Sequence, residues 1–330
     1  MWHRRLSLPV QADLARRFAG CGPLTDDPEP FLARVYAGVG ALPPDLVGTV
    51  LRFRADPSAS GVLLIHGMPV DEPMPPTPTA AGRVTAKSTF VSEASVLLIA
   101  LLLGDPVAYA DEKDGVLVQN VYPIDAEARA PSNESSDTDL GFHTELSFSR
   151  RVPDRPLHAA SPDFLLLLGL RGAPDADAVT TFVEAGDICG RLSARVQARL
   201  RQPLYELRAP YSFTRAADAD RPWSRPVPLL HGDGAATWLA FDLACGVRAT
   251  EPAATEALDE LRQVVASPDL HRRARLEAGD LLVVDNRRCA HARSRFQARF
   301  DGADRWLQRV YVRRSLAGLE RAAQASFRVL

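Results

Sequence analysis

The stretch GFHTEL, residues 141–146, places an imidazole and a carboxylate two positions apart near the middle of the chain. On an extended strand, residues i and i+2 point to the same face of the sheet. His143 and Glu145 could therefore bind one metal ion from one side without a bend in the backbone. A metal ion needs further ligands, and a short His-x-Glu pattern also occurs in ordinary surface segments. The rest of the chain has to supply the third ligand.

The best third ligand is His291, which closely follows the apolar run DLLVVDN of residues 280–286. Two histidines and one carboxylate are the ligand set of non-haem Fe(II) sites, in which other coordination positions stay open for reactants. A histidine after a strand can equally be structural. We expect the remaining central histidines to be structural or solvated, since none has a partner at ligand spacing: His66, His158, His231 and His271.

Composition excludes several function classes. The chain has 330 residues, 46% of them apolar, and a net charge of −2, which gives no electrostatic footprint for nucleic acid or an acidic membrane. The longest apolar run, residues 96–103, is far shorter than the roughly 20 residues that cross a bilayer. Residues 1–20 lack the apolar core of a signal peptide. The four scattered cysteines favour a reduced, cytoplasmic protein with incidental thiols.

The chain alternates short apolar strands with peripheral helices and lacks a βαβ rhythm, which argues against a doubly wound fold. We predict a mainly β protein with flanking helices around a double-stranded β-helix, the cupin-like jelly roll. Residues 1–330 are expected to form a single domain, with an N-terminal helical cap at about 1–60. The Ser-rich segment at about 130–140 is either a mobile lid over the metal site or an ordinary solvated loop. Strands are predicted at 61–67, 116–122, 164–170, 179–184, 237–241, 280–285 and 306–313, and helices at 88–103, 188–201 and 255–266.

Two arginines lie at the start of the last predicted strand. Arg305 and Arg309 are four residues apart, so they share parity and point the same way. A guanidinium binds carboxylates through two parallel hydrogen bonds. Buried side by side, the pair would need anionic ligands; facing outward, it would form surface ion pairs. Spacing alone leaves both alternatives open.

Together, HTE at 143–145, the distal His291 and the block DGADRWLQR at 301–309 resemble the Fe(II)/2-oxoglutarate-dependent dioxygenases. The closer resemblance is to the clavaminate synthase-like branch, which includes arginine and asparagine β-hydroxylases of peptide-antibiotic pathways. The segment QNVYP at 119–123 and the loop before His143 also fit, so the resemblance covers most of the chain. It implies Fe(II), O₂ and 2-oxoglutarate as reactants, and a small amino-acid-like substrate.

The resemblance also implies roles for individual residues. His143, Glu145 and His291 would be the iron ligands, and Arg305, fourteen residues after the distal histidine, would bind the far carboxylate of 2-oxoglutarate. A threonine on a later strand usually assists, and Thr181 is our choice, with Thr180 as the alternative. For the substrate, the resemblance assigns the α-carboxylate to Arg309 and the α-amino group to Gln119, with Glu145 as an additional contact.

Asp242 matches the first acid of a family pair that holds the guanidinium in arginine hydroxylases; its alternative role is a structural cap. The second acid is replaced by Ala244, which puts arginine as substrate in doubt. The leading hypothesis is hydroxylation of an unactivated C–H bond of an amino acid in natural-product biosynthesis. One rival keeps the cofactors but desaturates or cyclises, or oxidises a cyclic dipeptide or a substrate tethered to a carrier protein. Another is a non-enzymatic jelly-roll binding protein with a structural metal.

Overall fold

The computed structural model describes residues 1–82, 84, 86–110, 112–128, 136–148, 161–173, 178–210, 221–317, 319 and 326–330. The helices are α1 (Leu8–Phe18), α2 (Glu29–Tyr36), α3 (Pro44–Ala55), α4 (Val91–Leu103), α5 (Ala185–Arg191), α6 (Ala194–Leu200) and α7 (Pro252–Val265). The strands are β1 (Trp2–Arg5), β2 (Val62–His66), β3 (Asp105–Val107), β4 (Gln119–Val121), β5 (Leu140–His143), β6 (Phe164–Arg171), β7 (Thr180–Glu184), β8 (Tyr205–Leu207), β9 (Leu230–His231), β10 (Trp238–Leu239), β11 (Val247–Ala249), β12 (Arg272–Ala274), β13 (Leu281–Asp285), β14 (Cys289–Arg293) and β15 (Trp306–Arg313).

Two sheets enclose the centre of the molecule. The larger, seven-stranded sheet runs β1-β2-β13-β6-β15-β3, with β4 also paired to β15, and the smaller sheet runs β12-β7-β14-β5. One apolar cluster joins the two sheets, with Leu165, Leu282 and Leu307 from the larger sheet and Phe182 and Cys289 from the smaller. The predicted double-stranded β-helix is thereby confirmed.

The central strands of the larger sheet are apolar on both faces because both faces are covered. Along β13, Leu282 and Val284 pack between the sheets, whereas Leu281 and Val283 pack outward with helices α1–α4. Helix α4 is apolar around nearly its whole circumference and lies between that sheet and the other N-terminal helices. Helices α5–α7 cover the outer face of the smaller sheet.

Several predicted elements need adjustment. The helix expected over 188–201 is two helices, because Leu192 is extended (φ −87°, ψ 140°) and the Ser193 hydroxyl caps the next helix by accepting from the Val196 N–H (3.2 Å). The strand expected over 116–122 is confined to β4. The segment before helix α1 adds strand β1, parallel to β2, to the predicted helical cap. Of the proposed lid, residues 130–135 lie outside the described residues. Among the helices in the described ranges, none is both long and apolar enough to cross a membrane.

Candidate metal and substrate site

The two histidines of the predicted metal site are opposite one another on neighbouring strands. His143 is the last residue of β5, and the antiparallel register pairs it with His291 in the middle of β14. Directly opposed residues project from the same face of a sheet, so the two imidazole rings meet with centroids 4.2 Å apart. One ligand atom from each of His143, Glu145 and His291 lies within 4.8 Å of the others, and all three side chains are buried.

Glu145 joins this group from a turn and not, as predicted, from an extended strand. Strand β5 ends at His143, so Glu145 lies in the turn beyond it rather than on the strand. Asn286, in the turn between β13 and β14, fixes this turn: its Oδ1 accepts from the Glu145 N–H (2.7 Å), and its Nδ2 donates to the Glu145 carbonyl (3.1 Å). Glu145 Oε1 then lies 3.4 Å from His291 Nε2. The i, i+2 argument selected residues that the fold does bring together, but the backbone that joins them is irregular.

The protonation states suit a metal ion. The His143 Nδ1 atom lies 2.9 Å from the Gly141 carbonyl, which favours a proton on Nδ1 and leaves the Nε2 lone pair for a metal. Burial, reinforced by the nearby His143, lowers the pKa of His291 and favours the neutral imidazole. Burial opposes the charge of Glu145, but Arg309 and the two histidines outweigh it and hold the pKa of that carboxyl below its usual range. Two imidazoles and a carboxylate are a donor set that Fe(II) fits.

Tyr311 restrains the carboxylate of this group. Its hydroxyl donates to Glu145 Oε2 (2.8 Å), the oxygen other than the one facing His291. We expect Tyr311→Phe to weaken Fe(II) binding about 10-fold, because groups that orient a metal ligand typically contribute 10- to 100-fold to affinity. Anaerobic Fe(II) titration would measure this. Tyr109→Phe is the matched control, since its ring packs edge-on against Tyr311 at 5.6 Å. Equal metal affinity in Tyr311→Phe and the wild type would contradict the restraint.

A cavity of about 520 Å³ opens above the metal group and is lined by most of the predicted site residues. Arg309 and Gln119 are directly opposed on β15 and β4, and Arg309 Nε donates to Gln119 Oε1 (2.9 Å). Arg309 also forms a buried ion pair with Glu112 and lies 3.8 Å from Glu145 Oε1. Burial disfavours the Arg309 charge, but Glu112 and the neighbouring acidic groups raise the pKa and keep the guanidinium ionised.

Arg305, unlike Arg309, has no acidic partner among the described residues. It lies just before β15, is only 5% exposed and also lines the cavity. Within the described ranges it has neither a hydrogen bond nor an ion pair, and burial together with the positive charge of Arg293 lowers its pKa. A buried guanidinium without a counter-ion is costly, so this corner of the cavity is suited to an anion.

The structure corrects the choice between the two threonines. Strand β7 pairs with β14 so that Thr180 opposes Arg293, and Thr181 opposes Ala292. Arg293 shares the parity of His291, so Thr180 faces the cavity and lines it, whereas Thr181 points to the opposite face of the sheet. Thr181, our choice, therefore does not line the cavity, and the alternative Thr180 does.

Asp242 forms a structural cap, and it also faces the cavity. Its backbone bridges to His143, and its Oδ1 accepts from the Cys245 N–H (2.8 Å), which is a structural cap. It also lines the cavity.

The other central histidines with described positions make contacts elsewhere: His66 contacts Asp280, His231 stacks on Trp238 and His271 contacts the Val265 carbonyl. His158 lies outside the described residues.

Sequence reasoning missed Glu112, Asn286, Arg293 and Tyr311. Two of them carried a usable signal: Arg293 shares strand parity with His291, and Tyr311 shares it with Arg309. Glu112 lies in an irregular segment before β4 and meets Arg309 only through the tertiary fold. No local pattern in the sequence distinguishes it from a surface carboxylate.

The comparisons with known proteins agree with this geometry. Residues 59–311 match the family described as taurine catabolism dioxygenase TauD, TfdA family. The chain is 36% identical over 279 residues to an L-asparagine oxygenase of Streptomyces coelicolor, covering 84% of this chain and 77% of that protein. It is 31% identical over 297 residues to clavaminate synthase 2 of Streptomyces clavuligerus, covering 88% and 87%.

Solved structures show the same likeness. An asparagine oxygenase in complex with Fe(II), (2S,3S)-3-hydroxyasparagine and succinate superposes with a TM-score of 0.85 at 30% identity, covering 100% of this chain and 99% of that one. The non-heme iron oxygenase OrfP, in complex with Fe and α-ketoglutaric acid, superposes with a TM-score of 0.77 at 28% identity, covering 95% of each chain. The chain belongs to the TauD/TfdA family and is a 2-oxoglutarate-dependent non-haem iron oxygenase.

Proposed function

We propose that the chain hydroxylates an unactivated C–H bond of a free L-amino acid in natural-product biosynthesis. His143, Glu145 and His291 would hold the iron, and Arg305 with Thr180 would hold 2-oxoglutarate. When bound, iron supplies the activation of O₂, and 2-oxoglutarate supplies two electrons as it becomes succinate and CO₂. Side chains around the cavity decide which carbon reacts, because they fix the substrate relative to the metal.

The observation that carries the proposal is a buried cluster that complements both charges of an amino acid. Arg309 supplies a cation, and Glu112 Oε2 is a buried acceptor with no hydrogen-bond partner among the described residues. Gln119 Oε1 already accepts from Arg309, whereas its Nε2 donor has no such partner. The α-carboxylate would therefore bind Arg309 and Gln119 Nε2, and the α-ammonium group would bind Glu112 with help from Glu145. This assignment moves Gln119 from the amino to the carboxylate end.

The surroundings of Asp242 favour a neutral substrate side chain. Asp242 lines the cavity, and Ala244 occupies the position at which the resemblance to arginine hydroxylases implies a second acid. Burial raises the pKa of the Cys245 thiol, Asp242 adds to that rise, and the buried Arg221 opposes it through a hydrogen bond to the same thiol. Arg221 thus places a positive charge near this part of the cavity, which Cys245 also lines. A cationic substrate side chain would be repelled by that charge, so we propose a neutral hydrogen-bonding side chain such as a carboxamide.

Succinate formation with mass analysis of the amino acid tests this proposal. We would compare L-asparagine and L-glutamine with L-arginine, L-lysine and L-ornithine, and each with its N-acetyl and methyl ester derivatives. We expect a neutral free amino acid to gain one oxygen and its blocked derivatives to be poor substrates. Arg309→Met should raise KM strongly, and Arg248→Met, at a half-exposed surface position, should not. Equal turnover of free and blocked forms would refute recognition of the α-groups.

The threonine pair provides a prediction with a built-in control. Thr180→Val should weaken 2-oxoglutarate binding about 3- to 10-fold, the effect of one hydrogen bond of about 1 kcal/mol. Thr181→Val, one residue along the same strand but on the other face, should change the affinity less than twofold. Isothermal titration of the metal-loaded protein measures both. A larger loss of affinity in Thr181→Val than in Thr180→Val would show that Thr181, and not Thr180, faces the cavity.

Two further parts of the proposal concern the cellular compartment and whether the substrate is free or tethered to a carrier. The described cysteines, Cys21, Cys189, Cys245 and Cys289, are all free thiols, which supports a cytoplasmic setting. A carrier-tethered substrate would lack a free α-carboxylate, so Arg309 would contact Glu112 and Gln119 but no substrate carboxylate. The blocked derivatives in the assay distinguish that rival from a free amino acid.

A further inference from the structure

We propose that Arg293 is a second guanidinium on the far carboxylate of 2-oxoglutarate, so that the co-substrate is held by a two-arginine clamp of Arg293 and Arg305. The inference rests on Arg305 being the co-substrate anchor. It adds Arg293, which lies on β14 two residues after the metal ligand His291, whereas Arg305 lies just before β15.

The strand geometry places Arg293 two residues beyond the metal ligand His291, on the same face of β14. His291 and Arg293 are two residues apart on β14, which corresponds to roughly 6.8 Å along an antiparallel strand. The pairing of β14 with β7 is regular here, with His291 opposite Phe182 and Arg293 opposite Thr180. A five-carbon diacid bound to the metal by its keto-acid end would extend by a comparable length. Its far carboxylate would reach the level of Thr180 and Arg293.

Two buried cations meet at this level. Arg293 is 7% exposed and Arg305 5%, and both line the cavity. Burial lowers the pKa of Arg305 and the positive charge of Arg293 adds to this shift, so the two guanidiniums repel each other. A carboxylate bound between them would remove this repulsion, since each guanidinium can bind it through two N–H groups.

Arg293 lines the cavity and has two described neighbours that fix its guanidinium. Arg293 Nη2 donates to the Thr138 carbonyl (3.3 Å), and the guanidinium lies over the Phe296 ring at 5.2 Å. These contacts hold the plane of the group. They also define the competing explanation, in which Arg293 only ties the segment before β5 to β14 and acts on ligands through the fold.

A pair of 2-oxo acids separates the two explanations. We would titrate Mn(II)-loaded protein with 2-oxoglutarate and with 2-oxopentanoate, which keeps the chain length and the keto-acid end but lacks the far carboxylate. We expect Arg293→Met to weaken 2-oxoglutarate binding about 10- to 100-fold and to leave 2-oxopentanoate binding within twofold. Arg305→Met should show the same selectivity. Arg295→Met, at an exposed position on the same segment, is the control for removing a positive charge and should change neither affinity.

The outcomes are distinguishable. An equal loss of both ligands in Arg293→Met would assign it a structural role and overturn the clamp. Unchanged affinity for 2-oxoglutarate would overturn it as well. If Arg305→Met is selective and Arg293→Met is not, the clamp fails while the single anchor stands. If neither variant is selective, the co-substrate assignment of Arg305 in the proposed function fails too.

Discussion

His291→Ala should abolish hydroxylation and weaken Fe(II) binding at least 100-fold. The variant removes one of three protein ligands, and His143 and Glu145 would be left as a two-ligand site. Because a bound metal contributes several kcal/mol to such reactions, the rate should fall by about 10³-fold or more. Anaerobic Fe(II) titration and succinate formation measure the two effects.

His3→Ala is the matched control for this experiment. His3 lies on β1 and is exposed, so its loss removes an imidazole without touching the metal group. We expect the control to bind Fe(II) like the wild type. Retained activity and retained metal affinity in His291→Ala would show that the metal lies elsewhere, whatever the fold similarity.

Arg305→Met should change affinity and stability in opposite directions. Loss of one partner of a buried ion pair costs about 3–5 kcal/mol, so the dissociation constant of 2-oxoglutarate should rise by roughly 10²- to 10³-fold. The ligand-free protein, in contrast, should gain about 1–4 kcal/mol in free energy of unfolding. A flexible apolar side chain would replace a buried cation that has no anionic partner within the described ranges.

Titration with 2-oxoglutarate measures the change in affinity. Chemical denaturation without 2-oxoglutarate measures the change in free energy of unfolding. Arg309→Met is the informative comparison, because Arg309 is paired with Glu112 and its loss leaves a buried carboxylate alone. We expect that variant to be destabilised. A loss of stability in Arg305→Met similar to that in Arg309→Met would mean that Arg305 has a structural partner, and would contradict its role as an anion site.

The sequence identified most of the fold because its strands follow local patterns, and it suggested three candidate metal ligands by residue type and spacing. The apolar runs that became β6, β13 and β15 are buried on both faces and were found within one or two residues of their bounds. His143, Glu145 and His291 were recognisable as a ligand set by residue type alone. The strand register then brings the two histidines together, which no local pattern could show.

The remaining errors have physical causes. Two adjacent threonines look alike in sequence, and only the pairing of β7 with β14 decides which faces the cavity. Glu145 was placed on a strand because the end of β5 depends on Asn286, 141 residues away along the chain. The partner of Arg309 was missed because Glu112 comes from an irregular segment whose position is set by tertiary packing.

The most direct test of the proposed amino-acid hydroxylation is the stoichiometry of turnover in isotopically labelled O₂. We would incubate the Fe(II)-loaded protein with 2-oxoglutarate and the best neutral amino acid of the panel, then analyse both products by mass spectrometry. We predict one hydroxylated amino acid per succinate, with one labelled oxygen in each, and neither product with His291→Ala. Succinate formed at the same rate without the amino acid, together with an unmodified amino acid, would contradict the account.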